Sequence, residues 1–204
     1  MLIALKSWRR CRTTPLTLQS LTRLMESVLT GKRLAFARIR STTESITKQR
    51  DGINYPPPIY FAELQRVSKN QIIWGANYFV PMLDKGTKGW IVWFKGQTGL
   101  TMSDCELAYS SFDCPTRLVT INRCELARQN TIHPTEKPKS LYGWLLNNYA
   151  KPGDKILDTH LGSGSICLAA HDLNFEMLGI ELDAGYYQAA KQRLLYYQQQ
   201  LKLF

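Results

Sequence analysis

The stretch KILDTHLGSGSICLAA, Lys155 to Ala170, limits the possible folds more than any other part of this chain. Ile156 and Leu157 belong to an apolar run too short for a helix, and the run ends at Asp158. A loop carrying Gly162 and Gly164 follows, and from Ser165 to Leu173 the pattern is helical. A buried strand, a glycine turn and a helix in succession make the first half of a β-α-β unit, whose second strand lies parallel to the first. EMLGIEL, Glu176 to Leu182, supplies that strand. Glycines in such a loop let the backbone approach a ligand closely, and the helix N-terminus offers N–H groups. Glu181 closes the second strand 19 residues after Gly162, a spacing that suits a carboxylate holding the ribose hydroxyls of a nucleoside cofactor. A dinucleotide fingerprint wants a third glycine where this chain has Cys167. The loop also lies late in the chain, so NAD is disfavoured.

Residues 51–204 continue the alternation. PIYFAELQRV has helical spacing of Phe61, Leu64 and Val67, and QIIWG, GWIVWF, CELAYSSF and TRLVTI read as strands. KSLYGWLLNNYA reads as a helix stopped by Pro152-Gly153, and Ala184 to Leu203 as a long terminal helix. The expected fold class is α/β, with a mostly parallel sheet and helices on both faces. Residues 8–50 fit it poorly. They are rich in Arg, Thr and Ser, offer only a weak helix at Leu16–Leu29, and have no evident place in the sheet. The sequence therefore divides into an atypical basic segment, 1–50, and a domain at 51–204.

Charge follows the same boundary. The net charge is +10, which favours a nucleic-acid partner. Residues 1–50 hold 11 Lys and Arg against 2 acidic residues, whereas 51–204 hold 15 against 14. No apolar run is long enough to span a bilayer. The basic residues of the opening MLIALKSWRR follow its apolar patch, the reverse of a secretory signal. The five cysteines, Cys11, Cys105, Cys114, Cys124 and Cys167, form no C-x-x-C pair. This argues against a metal and for reduced thiols in a cytoplasm.

Upstream of the glycine loop stands HPTEKP, His133 to Pro138. HPTEKP, then a helix, then the D-x-x-x-G-S-G of Asp158 to Gly164, then the GIE of Gly179 to Glu181 together resemble the permuted, β-class amino-methyltransferases of DNA. YFAELQRVSKNQIIWGANYF and WIVWFKG are similar to the middle of such proteins, phage-type ones in particular. The resemblance covers about residues 55–197. It implies a Rossmann-like fold dependent on S-adenosylmethionine, double-stranded DNA as partner, and methylation of adenine N6 or cytosine N4. It also implies that Asp158 with Leu161, Gly162, Ser163 and Gly164 holds the methionine end of the cofactor. Glu181 would take the ribose, and His133, Thr135 and Lys137 would close over the site. On its residues alone, HPTEKP is equally a turn in which Thr135 caps the next helix. Methylation at cytosine carbon 5 would need Pro-Cys, and the chain has only Cys114-Pro115 in the opposite order.

The family's catalytic loop reads acidic or Asn, Pro, Pro, aromatic. INYPPPIYF, Ile53 to Phe61, fails at both ends, because Tyr55 separates Asn54 from the prolines and Ile59 follows them. It reads as a stiff linker into a helix. The loop is expected near Leu21–Met25, where the chain has LTRLM. Reading the third base of each codon with the first two of the next changes this. Leu21-Thr22 then permits Asp or Asn and excludes Ser, the next two junctions permit Pro, Leu24-Met25 permits Tyr, and Met25-Glu26 forces Gly. Residues 12–21 are likewise compatible with DDSVDLAVI, an apolar strand leading into that loop. The expectation is that residues from about 8 to somewhere before 51 are translated out of frame. Asp at the loop's head favours adenine N6. As written, the chain lacks the loop and reads alternatively as an inactive remnant that binds cofactor or DNA without turnover.

Overall fold

The computed structural model describes residues 2–5, 34–38, 47–48, 54–56, 58–78, 80–83, 85–122 and 131–200. In chain order the elements are β1 (Leu2–Leu5), β2 (Leu34–Arg38), β3 (Thr47–Lys48), β4 (Asn54–Tyr55), α1 (Pro58–Val67), β5 (Ser68–Trp74), β6 (Ile91–Phe94), β7 (Cys105–Ser110) and β8 (Arg117–Thr120). Then come α2 (Lys139–Tyr149), β9 (Lys155–Asp158), α3 (Ser165–Asp172), β10 (Glu176–Glu181) and α4 (Ala184–Gln199). The chain divides into two compact units, Met1–Lys6 with Ser41–Asn122 and Ser7–Arg40 with Arg123–Phe204. This division differs from the boundary at residue 50 drawn from the sequence.

In the first unit the strands run in the order β1-β5-β7-β6-β8. β1 with β5, β5 with β7 and β7 with β6 are antiparallel, and β6 with β8 is parallel. β3 and β4 pair apart from these, with Thr47 opposite Tyr55. The alternation along β6 buries Ile91 and Trp93 while Val92 and Phe94 are half-buried, as a two-residue period dictates. Trp93 donates its indole N–H to the Ile121 carbonyl at 2.9 Å. Pro58 is the first residue of α1, where its missing N–H costs nothing and its fixed φ suits a helix.

In the second unit the order is β2-β10-β9, all parallel. β9 and β10 read as continuous apolar runs because each is buried on both faces: Ile156, Leu157, Met177, Leu178 and Ile180 are all buried. The first six residues of α3 are buried as well, as expected for a helix apolar all round. α2 buries the stripe Leu141, Tyr142, Leu145, Leu146 and Tyr149. The Lys139 ammonium donates to Asp172 Oδ2 at 2.7 Å and to the Tyr197 hydroxyl at 2.6 Å, and that hydroxyl donates to the same carboxylate at 2.7 Å. One half-buried cluster thus ties α2, α3 and α4 together.

Two expectations change. The described pairings are mixed, not mostly parallel: β1–β5, β5–β7, β6–β7 and β3–β4 are antiparallel, and only β6–β8, β9–β10 and β2–β10 are parallel. And the segment that seemed to have no place in the sheet supplies β2, which lies parallel to β10 with Leu34 opposite Met177. The run Leu-Ala-Phe-Ala is apolar enough for such a strand, but its Arg-, Thr- and Ser-rich flanks disguised it. The weak helix at Leu16–Leu29 and the expected loop at Leu21–Met25 lie outside the described residues, as do Leu201–Phe204. Among the described residues no helix is long and apolar enough to cross a membrane.

Candidate functional site

The site is built at the ends of β9 and β10. Parallel pairing sets Asp158 beside Gly179, so Asp158 and Glu181 leave the sheet on the same edge. Asp158 is fully buried, and its Oδ1 accepts the His160 N–H at 3.0 Å. From there the chain turns through Leu161–Gly164, all buried. Leu161 donates its N–H to the Ile180 carbonyl at 3.0 Å, and Gly164 to the Leu161 carbonyl at 3.1 Å. Gly162 and Gly164 have φ of 55° and 72°, the left-handed region that glycine enters without strain.

Glu181 fixes this loop. Its Oε2 accepts the Gly162 N–H at 2.7 Å, and its Oε1 accepts the N–H groups of Leu182 at 2.8 Å and Asp183 at 2.9 Å. A carboxylate has about four acceptor positions, so three backbone donors leave room for one more. Asp183 then caps α4, accepting the Tyr186 N–H at 2.9 Å. The glycines have packing reasons too. A side chain on Gly179 would meet the Leu161 methyls at 2.9 Å, and one on Gly164 would meet Ala190 Cβ at 2.9 Å. Gly164→Ala therefore adds a collision with α4 to left-handed strain, and should destabilise the chain by about 2–4 kcal/mol. Gly153→Ala is the control, because Gly153 has φ of 89° but open space around it. It should lose only the backbone component, about 1–2 kcal/mol, when both variants are unfolded by urea titration. Equal losses in the two variants would remove the packing argument.

HPTEKP lies on the glycine loop. The His133 ring stands 3.4 Å from where a Gly162 side chain would begin and meets the Tyr186 ring edge to face, with centroids 4.5 Å apart. The Thr135 N–H donates to His133 Nδ1 at 3.2 Å, and the Thr135 hydroxyl lies 3.1 Å from the same nitrogen. An accepting Nδ1 places the proton of the neutral ring on Nε2. Thr135 does not cap α2: the N-cap is Pro138, without a side-chain cap bond. Thr135 stands too far before Lys139 to reach the first amides of the helix, so the capping reading is replaced by an orienting contact with His133. Lys137 is half-buried beside Glu136.

Four residues of the site escaped the sequence reading: Glu136, Ser165, Tyr186 and Arg193. Glu136 Oε1 accepts from Arg193 Nη1 at 2.6 Å and from the Ser165 hydroxyl at 3.2 Å, and its Oε2 accepts the Ile132 N–H at 3.0 Å. Arg193 Nη1 also donates to the Ser163 carbonyl at 3.2 Å and to Ser165 Oγ at 3.1 Å. The signal was present in α4, where Arg193 falls between Ala190 and Leu194, the two buried positions of an otherwise polar helix. Cys167 is buried, which pushes its thiol far above the usual range and rules it out as a nucleophile. The arrangement offers two carboxylates on one sheet edge, a tight buried loop of positive φ, and an exposed rim at His160, Thr135, Leu182 and Asp183. Carboxylates so placed suit a ligand that carries hydroxyls and a positive charge.

Comparison with known proteins identifies the family of this chain. The sequence model of the DNA methylase family, N6_N4_Mtase, matches residues 41–192. YubD of Escherichia coli (strain K12) is 42% identical over 65 residues, which is 32% of this chain and 29% of that protein. The type II methyltransferase M.HpaI of Haemophilus parainfluenzae is 37% identical over 62 residues, 30% of this chain and 20% of that one. The chain thus matches less than a third of the length of either relative. Among solved structures, the M1.HpyAVI–SAM complex is similar with a TM-score of 0.54 and 20% identity, over 68% of this chain and 85% of that one. The cytosine-N4-specific PvuII DNA methyltransferase gives 0.52 and 12%, over 84% and 81%. At such identities the likeness is one of fold.

Proposed function

The chain belongs to the N6/N4 DNA methylase family, and from that premise we propose that it is built to transfer a methyl group from S-adenosylmethionine to an exocyclic amino group in double-stranded DNA, adenine N6 by preference. The observation that carries the cofactor half is the Glu181 clamp, which holds the Gly162 amide at 2.7 Å and so sets the loop before any ligand arrives. When bound, the cofactor would supply an electrophilic sulfonium methyl group for transfer to an exocyclic amino nitrogen. Asp158 and the Leu161–Gly164 loop would hold the methionine end, its cationic groups matched by the buried carboxylate. Glu181 would give its remaining acceptor position to a ribose hydroxyl. His133, oriented by Thr135, and Lys137 would close the site. The set fits such a ligand in chemistry, since acceptors predominate and no nucleophilic side chain is required.

The acceptor that must face the base is another matter. An exocyclic amine conjugated to its ring needs a hydrogen-bond acceptor and a stacked pose out of the duplex before it reacts. No acidic-Pro-Pro-aromatic sequence occurs in the chain. This favours a second reading, a cofactor- or DNA-binding remnant without turnover. Both readings are compatible with residues from about 8 being translated out of frame. The family match begins at residue 41, and β2 at Leu34–Arg38 already pairs with β10, which argues that this stretch ends before residue 34. The preference for adenine rests on the shifted codons, which allow Asp and exclude Ser at the loop's head. Action in the cytoplasm follows from the same assignment.

Calorimetric titration with S-adenosylmethionine, run beside tritium transfer to unmethylated duplex DNA, tests the proposal. Binding is the expected result for the chain as written. Absence of binding would overturn the cofactor assignment, and binding without transfer would select the second reading.

A further inference from the structure

Glu136 is buried, with its side chain 2% exposed, and it meets Arg193, 19% exposed, at 2.6 Å. Around this pair three pieces of chain converge: the turn Ile132–Glu136, the start of α3 at Ser163–Ser165, and the middle of α4. Each is tied by a bond of fixed direction. Glu136 takes the Ile132 N–H and the Ser165 hydroxyl, Arg193 reaches the Ser163 carbonyl, and the Glu136 N–H donates to the His133 carbonyl at 3.0 Å. We propose that Glu136 and Arg193 are positioning residues for the cofactor site, holding the turn that carries His133 down on the Gly162–Gly164 loop and thereby setting cofactor affinity. This rests on the S-adenosylmethionine reading above.

The argument is one of what an ion pair does better than an apolar contact. Burying two charges costs desolvation that their attraction offsets only in part, so apolar side chains of equal volume would stabilise the fold as well or better. What apolar contacts lack is direction. The guanidinium donates to three oxygens of two segments, a geometry that fixes the turn against the loop in one register. His133 lies three residues before Glu136 within the same hydrogen-bonded turn, so a tilt of Glu136 carries the imidazole with it. A side chain on Gly162 would meet that ring at 3.4 Å. The pair does not itself reach the exposed rim of the site, and acts through His133 and the loop.

The test uses the full chain and four variants: Glu136→Gln, Arg193→Lys, Arg193→Met and the double variant Glu136→Gln with Arg193→Met. Kd for S-adenosylmethionine is measured by calorimetry well below each variant's ligand-free melting midpoint, so that only folded protein is titrated. Glu136→Gln and Arg193→Met should each raise Kd about tenfold, equivalent to about 1.4 kcal/mol. Arg193→Lys should recover part of the loss, and the double variant should be no worse than the worse single one, as for residues that act as a unit. Kd values within about twofold of the parent, with a lowered melting midpoint, would show a merely structural pair and overturn the proposal. Additive losses in the double variant would do so too. If Arg193→Met does not fold, Glu136→Gln and Arg193→Lys decide by the same Kd criterion. Failure of the parent chain to bind would instead overturn the cofactor reading, and the positioning role with it.

Discussion

Expressed as written, the chain transfers no tritium from labelled S-adenosylmethionine to unmethylated duplex DNA above background, and expressed with residues 8–33 in the shifted frame it methylates adenine. The reason lies in what binding alone can do. The cofactor site can place a methyl group, but the attacking nitrogen shares its lone pair with the ring. It becomes competent only when a fixed acceptor takes its hydrogen bonds and an aromatic face holds the extruded base. Removing one such electrostatic contact typically costs about 10²- to 10³-fold in rate. Lacking the acceptor and the stacking face together, the chain should fall at least about 10³-fold below the restored form. The shift should also remove most of the excess of 11 basic over 2 acidic residues in the first fifty, weakening non-specific retention on DNA at low salt. Robust transfer by the chain as written would sink the idea. A restored chain that binds cofactor and DNA yet transfers nothing would do the same.

Glu181→Ala should abolish useful cofactor binding. The carboxylate satisfies three backbone donors. Leu182 and Asp183 are exposed and can turn to water, whereas Gly162 is buried, so its amide would be left unsatisfied at a cost of about 1–3 kcal/mol. The loop would relax to recover that loss, and its relaxed form is not the one that meets the ligand. With the ribose acceptor gone as well, the combined loss should be about 2–4 kcal/mol, roughly 30- to 1000-fold in Kd. Glu181→Gln is the sharper probe. The clamp uses both oxygens, and an amide must set an NH2 group against one of the backbone donors. Glutamine should therefore bind almost as poorly as alanine in calorimetry, although it keeps the volume. Parent-like affinity in Glu181→Gln would remove the clamp assignment, leaving at most a ribose contact.

Much of this architecture was legible in the residues because its signals are local. A short strand centred on Ile156 and Leu157, two glycines and a helix buried over its first six residues announce β9, the loop and α3 without reference to anything distant. The same is true of α2, stopped by Pro152-Gly153. The missing parts depend on sequence separation. Glu136 finds Arg193 57 residues away, and no periodicity in either segment points to the other. Thr135 looked like a cap because Pro138 suited the first turn of the next helix, whereas that helix starts only at Lys139 with Pro138 itself as N-cap. β2 is a strand only because β10 lies beside it, so its own composition carries little of the signal. The antiparallel pairs escaped for a related reason: alternation of strands and helices was expected across residues 51–204, although among the described residues it holds only in 139–199.

The pairing of β2 with β10 also has a consequence for biogenesis. Leu34 is made early and its ladder partner Met177 late, with the whole run Ser41–Asn122 belonging to the other unit in between. On the ribosome, β2 must wait through most of elongation with its edge unsatisfied, while the strands β5 to β8 can already assemble among themselves. Closing so long a loop is entropically slow and raises contact order. The nascent protein thus spends its synthesis as one finished half and one waiting strand, the interval in which chaperones or aggregation compete for an open edge.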